Sequence, residues 1–195
     1  YETWYYWRIV AHDNQGNTTN GPLWRFQTEV ETVAFNCGEP LLDSRDGNTY
    51  ETVQIGNQCW MKENLNYETG TSWCYYNNIT YCNVYGRLYN WNTIMNGEPG
   101  SNTVPSGVQG ICPDGWHLPG DEDWKELEIE LGMTELTASE DGWRGWDEGG
   151  MLKTSGTEFW NEPNEMATNE TGFGAVAAGI RDAAGGFSER GNYTA

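Results

Sequence analysis

Histidine, basic residues and long apolar runs are all scarce in this chain, and each scarcity removes a class of function. Two histidines in 195 residues, His12 and His117, leave little for a zinc centre, and none of the five cysteines sits in a CxxC pair. Ten Lys+Arg against 29 Asp+Glu give a formal net charge of −19. Such an acid excess repels phosphates, so nucleic acid and anionic membrane surfaces are poor partners, whereas neutral ligands such as sugars and divalent cations are tolerated. No run approaches the roughly 18 apolar residues of a membrane span.

What the chain does contain is 11 Trp, 11 Tyr and 25 Gly. That is the composition of a loop-rich, aromatic-cored globular protein rather than of an acidic disordered tail. The length suits one full domain plus a fragment of a second. No signal peptide occurs in it, and Tyr1 is not an initiator, so a leader would belong upstream. Cys37, Cys59, Cys74, Cys82 and Cys112 read best as the cysteines of a secreted, disulfide-bonded chain. The sequons at Asn17, Asn78, Asn169 and Asn192 are compatible with surface exposure and matter only in a host that glycosylates.

Residues 1–28, "YETWYYWRIVAHDNQGNTTNGPLWRFQT", predict two strands joined by a polar Asn/Gly turn. Trp4, Tyr6, Arg8 and Val10 share one face, and Tyr5, Trp7, Ile9 and Ala11 the other. The segment resembles the last two strands of a fibronectin type III-like β-sandwich. A lone hairpin is marginal in water, so either earlier strands of that sandwich lie upstream or the hairpin packs as an extra edge on the neighbouring domain. Residues 29–36 read as a linker, and a second domain spans 37–195. There, Asp46-Gly47 and Gly56-Asn57 mark turns between short strands, the second running from Cys59 to Leu65. "YGRLYNWNTIMNG" places Tyr85, Leu88, Tyr89, Asn92 and Met95 at helical spacing with Gly97 as the stop, predicting one helix. "GDEDWKELEIELG" predicts a second. Its acids crowd the dipole-favoured first turn, Trp124, Leu127 and Leu131 line one face, and Gly132 ends it. Beyond it the chain is Gly- and Trp-rich, with short apolar runs such as "FGAVAAGI".

The stretches "DSRDGNTYETVQIGNQCWMKENLNY", "YGRLYNWNTIM", "CPDGWHLPGDEDWKELE" and "GFGAVAAGIRDAAGGF", in this order, resemble the Fibrobacter succinogenes major paralogous domain from about residue 41 onward. The resemblance implies an α+β fold of the C-type-lectin-like superfold, with two helices, small antiparallel sheets and long loops. It also implies a bacterial, secreted or surface-displayed module of a multidomain protein. Formylglycine-generating enzymes share that superfold and have a segment similar to "HLPGDEDWKELE", but they depend on reactive cysteines in their C-terminal part, and no cysteine follows Cys112 here. The family pattern continues past "GNYTA" into a closing strand with a cysteine that pairs with Cys112, so the resemblance implies an absent strand and an unpaired Cys112. Spacing alone leaves several pairings open. Cys74 with Cys82 can close a small loop, and Cys37 with Cys59 can staple the start of the domain to its second strand; these two bonds are the expectation.

Three stretches carry candidate chemistry. Asp43, Asp46 and Asn48 alternate as the oxygen ligands of a calcium loop do, against the plainer reading of an Asp-Gly turn. His117 lacks a second histidine or a fixed nucleophile nearby in sequence, and reads as a local packing residue at a helix start rather than a catalytic one. Trp143, Trp146 and Trp160, interleaved with Asp141, Asp147 and Glu148, suit stacking on a sugar ring while carboxylates accept its hydroxyl protons; the alternative is that these tryptophans are core. No catalytic set emerges. The expected function is non-catalytic adhesion or glycan binding at a cell surface, with an extracellular glycan or a surface protein as partner. A structural subunit packing on copies of itself in a fibre is the alternative.

Overall fold

The computed structural model describes residues 4–27 and 35–192, and the chain divides into two compact units, 1–35 and 36–195. The linker expected over 29–36 lies largely outside the described residues.

In the first unit, β1 (Trp4–Trp7) pairs antiparallel with β4 (Trp24–Gln27), and β2 (Val10–His12) with β3 (Thr18–Asn20). Asp13 organises the connection by accepting the Gln15 and Asn17 backbone N–H groups on its carboxylate. The register slips by one between Trp7↔Trp24 and Val10↔Asn20. Residues 8 and 9 there oppose residues 21–23, where Pro22 has no N–H to give to a ladder. Gly21 restores contact by donating to the Ile9 carbonyl at 2.7 Å. Both faces are aromatic: Tyr5 stacks on Phe26 and Trp7 meets Trp24 edge-on, while Arg25 lies over Trp4 on the other side. Trp7, Ile9, Ala11, Pro22 and Trp24 border an apolar hollow of about 270 Å³.

The second unit is mixed α and β, with small two-stranded antiparallel sheets and, among the described residues, five short helices. Strands β5 (Leu41–Leu42) and β6 (Thr49–Tyr50) form one hairpin, and β7 (Thr52–Ile55) and β8 (Gln58–Met61) the next, turning at Gly56-Asn57. The second strand ends at Met61, short of the expected Leu65. Strand β9 (Ser72–Trp73) leads through a 3-10 turn at Tyr75–Asn77 to α1 (Ile79–Tyr85). The side chain of Asn78 caps this helix by accepting the Thr80 N–H.

The helix expected from Tyr85 to Gly97 is not one helix. Helix α1 stops at Tyr85, β10 (Leu88–Tyr89) turns back to pair with β9, and a separate α2 (Trp91–Met95) comes next under an Asn90 cap. The cause is Gly86. Its φ of 72° is left-handed, and a Cβ there would come within 2.6 Å of Asn64 Cβ, so the backbone passes where only glycine fits. Asn64 donates to the Tyr85 carbonyl and Arg87 N–H to the Leu65 carbonyl, which completes the break.

The second predicted helix is present as α3 (Asp121–Glu130), followed by α4 (Glu135–Ala138) and α5 (Glu148–Leu152), so the expected pair of helices becomes five. Lys125 ties the first turn of α3 by bridging Asp121 and Glu122, each at 2.8 Å. Leu127 is fully buried, but Trp124 is exposed at its edge and stacks obliquely on Trp60 at 4.8 Å. The core gathers Leu41, Tyr50, Ile55, Tyr75, Tyr85, Leu88, Met95, Leu127, Ala177 and Ala178. The last described hairpin is β11 (Ile180–Arg181) with β12 (Phe187–Ser188).

Candidate functional site

The disulfides join Cys37 to Cys59 and Cys74 to Cys82, and Cys112 is a buried free thiol whose pKa burial pushes up to about 11. Asp43 is wholly buried, and its carboxylate is gripped by Arg45, which donates from Nε at 2.8 Å and from Nη2 at 2.6 Å. The same guanidinium reaches the Ile111 and Cys112 carbonyls and lies over the Tyr67 ring at 3.9 Å. Asp46 is engaged with the backbone and side-chain amide of Asn48. The three candidate calcium ligands are therefore members of an ionic strut and a turn. No group of three or more His, Cys, Asp or Glu side chains fit to hold a metal occurs among the described residues.

His117 stands at the foot of α3, with Nε2 3.7 Å from Asp123 Oδ2. That oxygen already accepts the Gly120 N–H at 2.8 Å and the Ser106 N–H at 3.1 Å. Ser106 Oγ donates to the Leu118 carbonyl and accepts the Val108 N–H. Gln58 donates to the Asp123 carbonyl. The residues of "GWHLPGDED" thus form a knot that seats α3 on the 106–108 segment and on β8. From sequence, Asp123 was accounted for by the helix dipole alone; it is also buried. The signal was its place at the third helical position after Gly120, from which a carboxylate reaches back to the cap N–H.

The segment 139–148, between α4 and α5, presents the most open aromatic surface of the second unit. Arg144 turns inward: Nε donates to Glu128 at 2.8 Å, Nη1 donates to the Glu140 carbonyl, and Nη2 lies 3.9 Å from Asp121. Glu128 is the main reason the guanidinium is held more firmly cationic than usual. Gly145 has φ 78°, and a Cβ there would strike Met133 Cε at 2.5 Å and Glu148 Oε2 at 2.6 Å. Glu148 accepts the Trp146 and Asp147 N–H groups, which hold its carboxyl below the ordinary range. With Arg144 anchored inside and glycine at the bend, the flanking indoles face outward, Trp143 at 90 % and Trp146 at 81 % exposure. A core role for these two is ruled out.

Trp160 is built differently. Its indole N–H is shared between Thr154 Oγ1 and the Ala175 carbonyl, and Lys153 Nζ lies 5.0 Å over the ring, beside the Lys153↔Ala175 bridge. It is a half-buried pillar rather than a third open platform. Arg144 and Gly145, which shape the loop, were missed from sequence, although two tryptophans bracketing Arg-Gly was a legible sign of a braced turn.

A mixed α/β domain of small sheets, with two disulfides and a braced aromatic loop, defines the class. The family model of the Fibrobacter succinogenes major domain matches residues 53–195, and the chain belongs to that family. No curated protein and no solved structure matches the chain. No helix among the described residues is long and apolar enough to cross a membrane.

Proposed function

We propose that this chain is a non-catalytic, secreted or cell-surface module of a multidomain protein, and that it binds glycan through the 139–148 loop of a C-type-lectin-like domain. The observation that carries the reading is the pair of outward indoles, Trp143 and Trp146, on a loop whose shape is held by Arg144 and Glu148. Aromatic faces stack on the apolar faces of pyranose rings, and a braced loop loses little entropy on binding. Two disulfides fit an oxidising, extracellular compartment. The reading requires no calcium, since Asp43 already serves Arg45. A glycan array probed with the chain, with and without a chelator, tests it. The expected outcome is chelator-insensitive binding lost in Trp143→Ala/Trp146→Ala; an array without signal overturns it.

A second reading is favoured by the hairpin. Trp4, Tyr5, Tyr6, Trp7, Trp24 and Phe26 are exposed on both faces of a two-stranded ribbon, which is more apolar surface than such a ribbon supports alone in water. Further strands of a fibronectin type III-like sandwich would cover it, or copies of the chain would in a fibre. Sedimentation of the chain as a concentration-dependent assembly would favour the fibre.

A further inference from the structure

Five arginines lie in the second unit. Arg45, Arg87 and Arg144 each pair with a carboxylate. Arg181 on β11 and Arg190 just after β12 make no ion pair among the described residues, although the chain holds 29 acids against ten bases. The acids next to them in sequence are engaged elsewhere: Asp182 accepts the Gly186 N–H at 2.8 Å, and Glu189 accepts the Asn192 side-chain amide at 3.0 Å. Both guanidiniums are held by aromatic rings instead. Arg181 lies 4.2 Å over Trp73 and 5.6 Å from Phe187, and its Nε–H is buried without an acceptor. Arg190 lies 5.0 Å over Tyr81 and 5.8 Å from Tyr75, and its Nη1 donates to the Tyr85 hydroxyl at 3.1 Å. Phe187 joins the two, with its ring 5.4 Å from Tyr75 and 5.7 Å from Tyr76. Tyr76 is 60 % exposed, and both it and Asn77 have left-handed backbones, with φ 52° and 54°. Non-glycine residues keep that conformation only where their surroundings impose it; here the Cys74–Cys82 bond closes the segment and Phe187 packs on the Tyr76 ring. The result is a braced surface that runs from one guanidinium across aromatic rings to the other.

We propose that this surface, made by β11–β12 and the 73–76 segment, binds a uronate chain, a polysaccharide whose rings carry carboxylates. The planar fork of an arginine matches a carboxylate in two places at once, and both guanidiniums keep donors for it. The apolar faces of the sugar rings stack on Tyr76 and Phe187. Carboxylates without rings meet only the arginines, and neutral sugars meet only the aromatics. Denser anions, such as sulfated or phosphate polymers, meet more of the repulsion from the chain's net charge of −19. None of these residues belongs to the 139–148 loop, so the inference does not rest on the reading of that loop.

Calorimetry on the full chain tests this with three probes: galacturonate oligomers, the same oligomers as methyl esters, and glutamate oligomers. It is run at about 0.15 M salt, where the Debye length is about 8 Å and long-range repulsion is largely screened. The expected result is galacturonate binding at least about tenfold tighter than the ester, since only the acid draws charge-assisted hydrogen bonds, with no comparable binding of glutamate oligomers. Arg181→Gln, and Arg190→Gln at an exposed position, should each bring galacturonate close to the ester. Arg190→Lys should recover only part of the difference, because it restores the charge without the fork. Tyr76→Ala, also at an exposed position, should weaken acid and ester together. Equal affinity for acid and ester, or no binding of either, overturns the inference. Glutamate oligomers that bind as tightly as galacturonate overturn it in favour of an acidic peptide. Galacturonate binding that survives both Arg181→Gln and Arg190→Gln overturns it as well, and its loss in Trp143→Ala/Trp146→Ala would then move it to the 139–148 loop and leave the glycan reading standing.

Discussion

In the hairpin of the first unit, tryptophans and tyrosines project from both faces into solvent; in the second unit, Tyr50, Tyr75 and Tyr85 are buried under neighbouring segments. The residue types are alike, and so is the local ladder geometry. What differs is coverage. A two-stranded ribbon can bury little on either face, whereas the second unit folds its short sheets against helices and long loops, and closes them with two disulfides. Aromatic content alone therefore does not say where a core is. The second unit repeats the contrast internally, since Trp160 is pinned by hydrogen bonds while Trp143 and Trp146 are held out by the inward turn of the arginine between them.

The largest expected effect sets a core residue of one unit against an aromatic of the other. Leu127→Ala should lower the unfolding free energy of the second unit by about 2–5 kcal/mol, because it leaves a cavity under α3. Trp24→Ala, a larger truncation, should change that transition by no more than about 0.5 kcal/mol. Denaturant titration followed by circular dichroism checks both, and similar losses for the two would break the comparison.

Next in size are the disulfides. Replacing Cys37 and Cys59 by Ala should cost about 3 kcal/mol, and replacing Cys74 and Cys82 slightly less, about 2.5 kcal/mol, because the second bond closes a shorter loop. Cys112, buried and with its thiol pKa raised to about 11, should resist alkylation at neutral pH until denaturant is added. Mass spectrometry before and after unfolding reads this directly, and rapid labelling in the native protein would place Cys112 outside the core.

Smaller again is the strut beneath the β5–β6 turn. Asp43→Asn should cost about 2 kcal/mol by weakening charge-assisted hydrogen bonds from Arg45. Arg45 holds the folded carboxyl below its ordinary range. The stabilisation is therefore complete above the unfolded carboxylate pKa of about 3.9, and is lost as pH falls through the folded value. The variant should accordingly show a flatter loss of stability in acid than the parent. An unchanged acid limb would mean that other carboxylates dominate it.

How much of this was legible beforehand depended on the range of the forces involved. Helix α3 was legible because its determinants are local: acids in the first turn, Leu127 on the inner face and Gly132 at the stop. The turns at Gly47 and Gly56-Asn57 were legible for the same reason. The break at Gly86 was not, because the helical spacing of Tyr85, Leu88 and Tyr89 was satisfied, and the constraint came from Asn64, 22 residues away in sequence. The alternation of Asp43, Asp46 and Asn48 left calcium open beside the plainer Asp-Gly turn, because residue spacing does not say that the Arg45 side chain, two residues on, folds back onto Asp43. Likewise, the outward pose of Trp143 and Trp146 depends on Glu128, which belongs to another element.

The smallest expected effect falls on His117, and it separates a structural knot from a reactive centre. Its side chain is 38 % exposed and only 3.7 Å from Asp123 Oδ2, which is already satisfied by the Gly120 and Ser106 N–H groups. A partly exposed contact of that length contributes under about 1 kcal/mol, so His117→Ala should lower stability by no more than that and leave glycan binding unaltered. Asp123→Ala removes the acceptor those two N–H groups share, and should cost more, about 1–3 kcal/mol. Thermal unfolding of both variants, with the glycan array repeated on His117→Ala, decides the matter. A larger loss for His117→Ala than for Asp123→Ala would relocate the anchor of α3 to the imidazole. Loss of binding at unchanged melting temperature would move the binding site from the 139–148 loop to the foot of α3.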